Sequence, residues 1–97
     1  MNIELVDKNQ ESSEVEAFIF EIKALPQSEE IKDLFASKVE QIFLDSYGTN
    51  DNFAIECNIQ RANSALQSLT IELRIKGEGV DEIKAAAILN QALKAVI

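Results

Sequence analysis

VEAFIFEIKAL, residues 15–25, decides the architecture because it can be read in two ways. As an extended strand it turns Phe18, Phe20, Ile22 and Ala24 to one face and Ala17, Ile19, Glu21 and Lys23 to the other. As a helix it offers a stripe of Val15, Phe18, Ile19, Ile22 and Leu25, with Ser13 and Glu16 at the spacing of a capping box. Two Phe and two Ile crowd residues 18–22, and aromatic and β-branched side chains fit a pleated surface best. The strand is the expectation, with a helix over the same residues, turning the first hairpin into strand plus helix, kept as the alternative.

A downstream echo favours the strand. LTIELRIKGEGVDEIK, residues 69–84, repeats the order of AFIFEIKALPQSEEIK, residues 17–32. Each copy runs from an alternating segment through a breaker into an acidic helix start ending Glu-Ile-Lys. Each is also preceded by a shorter alternating stretch: Asn2–Val6, and Phe53–Ile59 with Phe53, Ile55, Cys57 and Ile59 inward. Between the first two strands, Asp7–Glu14 reads as a polar, mobile loop.

Pro26 ends the second strand, and Ser28 is placed to cap a helix whose first turn holds Glu29 and Glu30. Ile31, Leu34, Phe35, Val39, Ile42 and Phe43 form its expected buried stripe. The helix runs to about Tyr47, where Gly48 is placed to stop it in a left-handed cap. Gln60–Gln67 reads as a connection. Leu69, Ile71, Leu73 and Ile75 then alternate with Thr70, Glu72, Arg74 and Lys76 as the cleanest strand, broken by Gly77 and Gly79. The last helix starts near Asp81, burying Ala85, Ile88, Leu89, Ala92, Leu93 and Val96. Val96-Ile97 should dock, and Ile83 should lie on the polar side.

Four one-sided strands imply an antiparallel sheet with one wet face and both helices on the other. The simplest order is 1-2-4-3. The expected fold is therefore α+β, ββαββα, a single 1–97 domain: a ferredoxin-like two-layer sandwich, circularly permuted so that its usual last strand comes first.

The chemistry available is narrow. The chain has no histidine, the commonest general base. Its single cysteine, Cys57, excludes an internal disulfide and sits on an inward face, where packing is the expected role. DSYGTNDNFAIE, residues 45–56, loosely resembles a calcium loop, but Tyr47 takes a ligand position and Asn50 stands where glycine is needed. Gly77 and Gly79 precede a helix start, yet Glu78, Asp81 and Glu82 would repel a phosphate. Neither a cofactor nor a metal is expected, and no catalytic residue stands out.

Seventeen acidic against nine basic residues give a net charge of −8, which opposes nucleic acids and anionic membranes and favours a basic protein partner. MNIELVDKNQESSE lacks the pattern of a signal peptide, so a cytoplasmic setting is expected. Each strand carries one outward glutamate: Glu4, Glu21, Glu56 and Glu72. Ile19 shares that face with the small Ala17 and Ala54. These five (the four glutamates and Ile19) are the candidate partner-binding residues. The expected function is a non-enzymatic acidic protein-binding module, of the inhibitor or antagonist kind represented by immunity and anti-defence proteins. The alternative is a homo-oligomeric structural or regulatory domain, such as a dimer, associating through the open sheet face or an edge strand.

Overall fold

The computed structural model describes residues 3–23, 29–48, 51–63 and 68–96, with the side chains of 23, 29–31, 61–63 and 68 left undescribed. Its elements are β1 (Ile3–Gln10), β2 (Val15–Lys23), α1 (Glu29–Tyr47), β3 (Ala54–Asn63), β4 (Ser68–Lys76) and α2 (Glu82–Val96). Residues 15–23 are extended, so the ambiguous segment is a strand. The expectations for Ala24, Leu25, Pro26, Ser28 and Ile97 lie outside the described residues.

The sheet order is β1-β2-β4-β3, with every neighbouring pair antiparallel. This is the permuted ferredoxin-like sandwich that the element order implies. α1 returns the chain so that β3 runs parallel to β2 with a gap between them, and β4 fills the gap. α1 packs toward β3 and α2 toward β1, so together they cover one face.

The alternation in β2 and β4 sets the core. Phe18, Phe20, Ile22, Leu69, Ile71, Leu73 and Ile75 all turn to the helices and are buried. Phe35, Val39 and Phe43 from α1 and Ala85, Ile88, Leu89, Ala92 and Leu93 from α2 meet them. Full burial of each large apolar side chain contributes about 2 kcal/mol of gross driving force. Each central strand supplies its buried face at every second residue, so a register slip would expose the whole set.

Three expectations are corrected. Asp7–Gln10 is strand rather than loop, and Val6 bulges out between the Leu5–Phe20 and Asp7–Ile19 pairs. The bulge inverts the alternation, so the polar tail pairs with β2 although it has no apolar face to bury. The turn that follows is closed by local hydrogen bonds. Ser12 Oγ accepts from the backbone N–H of Glu14 (3.2 Å) and Val15 (3.0 Å), and Val15 O accepts from the N–H of Glu11 (3.0 Å).

The second correction is Leu34, which is 58% exposed. Phe35, Val39 and Phe43, spaced four apart, fix the inward line of α1. Leu34 lies about 100° around the helix from Phe35, off that line. The third is β3, which continues through Gln60 to Asn63 with an irregularity between Arg61 and Asn63, rather than ending at Ile59.

The expected helix ends hold. Gly48 has φ 82°, and its N–H donates to Leu44 O at 2.7 Å, closing α1. Asp81 caps α2, its Oδ1 accepting from the Lys84 N–H at 3.0 Å. Ile83 stands on the polar side of α2, 74% exposed.

Candidate functional site

Cross-strand register arranges the open face in transverse rows. Glu4, Glu21, Thr70 and Gln60 form one row. Asp7, Ile19, Glu72 and Asn58 form the next. Asn9, Ala17, Arg74 and Glu56 form a third, and Val15, Lys76 and Ala54 follow. The four outward glutamates therefore run as a diagonal. Glu4 and Glu21 face each other directly, Glu72 lies one row on, and Glu56 lies one row beyond that.

Ile19 is the apolar centre of this diagonal. It is half-buried between Asp7 on one side and Glu72 on the other. With Asn58, Gln60, Thr70 and Glu72 it lines a shallow depression of about 150 Å³. The structure thus brings Ile19 and Glu72 together at one spot, with Glu4 and Glu21 in the adjoining row. Among the described residues, no cation reaches Glu4, Asp7 or Glu21 at ion-pair distance.

Glu56 is in different surroundings. Arg74, its cross-strand partner, sits at the hub of three carboxylates. Its Nε and Nη2 donate to the Glu11 carboxylate at 2.9–3.0 Å. Glu72 lies 3.9 Å and Glu56 4.0 Å away. The Glu11 hydrogen bonds and charge, with smaller effects of Glu72 and Glu56, hold the guanidinium pKa above its ordinary value. The Asn58 side-chain amide also donates to Glu56 at 3.3 Å. Lys76 pairs with Glu14 at 3.6 Å. One end of the face is therefore internally neutralised, Glu72 stands at its margin within 3.9 Å of Arg74, and Glu4, Asp7 and Glu21 have no described cation at ion-pair distance.

Arg74 and Glu11 meet across β2, which separates them in the sheet. The residue between Asn9 and Arg74 in that row is Ala17, and it is 3% exposed. A small side chain at 17 leaves room for the bridge to pass above it. Ala17 is thus closed off rather than part of an open small-residue patch. The alternation marked Ala17 as outward, but the salt bridge that covers it joins residues 63 positions apart, and neither periodicity nor composition signals such a pair.

Cys57 packs against the core edge, half-buried between Ile55 and Ile59. Burial, helped by the nearby Glu40 charge, pushes its thiol up to about 12 from an ordinary 9.0. A thiol so held stays protonated and weakly nucleophilic at neutral pH.

Beyond the sheet face, a cleft of about 580 Å³ opens beside the β1–β2 turn, lined by Gln10, Glu14, Glu16, Phe53, Lys76 and Glu78 among others. Its lysine is the one paired with Glu14. Among the described residues, no three carboxylate or thiol groups converge to hold a metal ion. No helix among them is long and apolar enough to cross a membrane.

Comparison with family models, with curated proteins and with solved structures finds no match to this chain.

Proposed function

We propose that the protein is a non-enzymatic docking module that engages a basic protein through the open face of its sheet. The observation that carries this reading is Ile19, a half-buried isoleucine ringed by Asp7, Glu72, Asn58 and Thr70, one row from the facing pair Glu4 and Glu21. An apolar contact point beside Glu4, Asp7 and Glu21, which no described cation reaches, has the two parts that protein recognition uses. The apolar centre supplies buried area, and the surrounding charge steers and selects the partner.

The same field disfavours self-association through this face. Two copies would press Glu4, Asp7 and Glu21 toward their own images, with no described cation at ion-pair distance of these three. A small acidic protein that covers a basic surface acts most simply as an inhibitor or antagonist of whatever that surface binds. A cytoplasmic setting suits the free thiol of Cys57.

The test is capture from an extract of the source organism by the wild-type protein and by the double variant Ile19→Lys/Glu72→Lys. A basic protein retained by the wild type at low salt, released at high salt and never retained by the variant supports the reading. A partner held equally by both proteins, or one that is acidic, overturns it.

A further inference from the structure

The two edges of the sheet are not equivalent. β1 carries the Val6 bulge and the charged Asp7 and Lys8, features that hinder pairing with another strand. β3 pairs with β4 without a break from Ala54 to Arg61, and Ala54–Gln60 contains no proline, no lysine and no glycine. Its far side, away from β4, has no strand partner among the described residues. It is an edge without a bulge from residue 54 to 61.

Both faces beside that edge are unfinished. On the helix side, Ile55, Cys57 and Ile59 are half-buried, whereas their neighbours Ile71, Leu73 and Ile75 on β4 are fully covered. α1 leaves a groove of about 480 Å³ along the start of β3, floored by Phe43, Leu44, Phe53 and Ile55. Glu40 and Asp51 rim it, and Lys76 at its end is paired with Glu14. The Glu40 charge is close enough to act on Cys57. On the open side the side chain of Glu56 is 62% exposed and 4.0 Å from Arg74, whose hydrogen bonds go to Glu11 instead.

We propose that the outer edge of β3 takes up an extended segment of a partner protein in which apolar residues alternate with lysine or arginine, adding a fifth strand to the sheet. Backbone groups of β3 supply the hydrogen bonds, and alternate side chains are read by the two faces. Apolar residues cover Ile55, Cys57, Ile59 and the groove. The intervening basic residues meet Glu56 on the open side, and flanking ones meet Glu40 and Asp51. A second copy of this chain is the wrong occupant, because pairing β3 with β3 brings two sets of Glu40, Asp51 and Glu56 to one seam. The inference rests on the docking reading above and adds where, and in what conformation, a basic partner binds.

The test uses the full chain, isotope-labelled, and a capped heptapeptide of alternating lysine and valine as the probe. Two control peptides carry N-methyl groups, one on every lysine amide and the other on every valine amide, which removes donors from one edge at a time. The expected result is slowed amide exchange and shifted resonances at residues 54–60, with affinity at least tenfold weaker for one of the controls. Glu40→Gln/Glu56→Gln, both exposed on the folded protein, should bind the parent peptide several-fold more weakly with an unchanged melting temperature.

Equal binding of all three peptides would reduce the interaction to charge alone and overturn the proposal. So would a dimer of the free protein already paired through β3. Binding that maps to Ile19 and Glu72 would sink the edge while leaving the docking module standing. No binding of any basic peptide would sink both.

Discussion

Arg74 faces three carboxylates and spans β2 to reach one of them, so its removal should be felt at a distance in sequence. In Arg74→Gln, amide exchange at Glu11, Ser12 and Val15 is expected to accelerate several-fold while the β2–β4 ladder stays protected, as read by hydrogen exchange. Gly77 has the opposite problem, too little space. A Cβ there would stand 2.8 Å from the Phe53 ring and 3.1 Å from Val80 Cγ2. Phe53 is itself stacked on Tyr47, with ring centroids 5.2 Å apart, and Tyr47 packs on Phe43 at 4.9 Å. Gly77→Ala should therefore cost about 1–3 kcal/mol in denaturant unfolding. Cys57 gives a pH prediction. Its folded thiol titrates near 12 and its unfolded thiol near 9.0, so between those values only the unfolded chain gains by ionising. Its contribution to stability is intact below pH 9 and lost progressively from there to pH 12. At pH 8 the native thiol should react with an alkylating reagent roughly a thousandfold more slowly than the thiol of the urea-unfolded chain.

Among the elements, α1 most clearly separates what the sequence discloses from what it hides. Its length, its end at Gly48 and its buried Phe35, Val39 and Phe43 are all legible, because helical spacing and a terminal glycine have local causes. Leu34 is hydrophobic and at plausible spacing, yet exposed, because the sheet meets a narrower arc than the apolar residues occupy. Leu34→Ala is expected to change stability by no more than about 0.5 kcal/mol, as surface substitutions do. Phe35→Ala should cost about 3–5 kcal/mol. Comparable losses from both would put the helix at the wrong rotation. The strands follow the same division. The inward residues of β2 and β4 are legible because alternation has to match on both neighbours, although β4 begins at Ser68, one residue before the expected Leu69. β1 is not, since a bulge shifts the register of everything after Val6 without any marker in composition. The facing of the five candidate residues was legible, but neither their layout nor the presence of Asp7 beside Ile19 was. Alternation turns Glu4, Ile19, Glu21, Glu56 and Glu72 outward, but only the pairing register shows that Ile19 and Glu72 adjoin while Glu56 falls within reach of Arg74.

At the scale of the whole molecule, the charge of −8 is confined within a radius of gyration of 12.9 Å. At about 0.01 M salt the screening length is about 30 Å, so the carboxylates repel one another across the entire fold. At about 0.1 M it is about 10 Å and that repulsion is largely local. The melting temperature is therefore expected to rise by a few degrees over this interval, measured by circular dichroism. On the proposed function, salt should have the reverse effect on binding, because the same field that strains the free protein would draw a basic partner in. The most direct check is the association rate with the basic protein captured by the wild type, followed from about 0.1 M to about 1 M salt, where the screening length shrinks to about 3 Å. An association rate that falls at least tenfold, with the dissociation rate nearly constant and with Glu21→Gln/Glu72→Gln showing a lower rate and a shallower dependence, is the predicted result. A rate indifferent to salt, or unaltered in that variant, would contradict the claim that the acidic open face is what meets the partner.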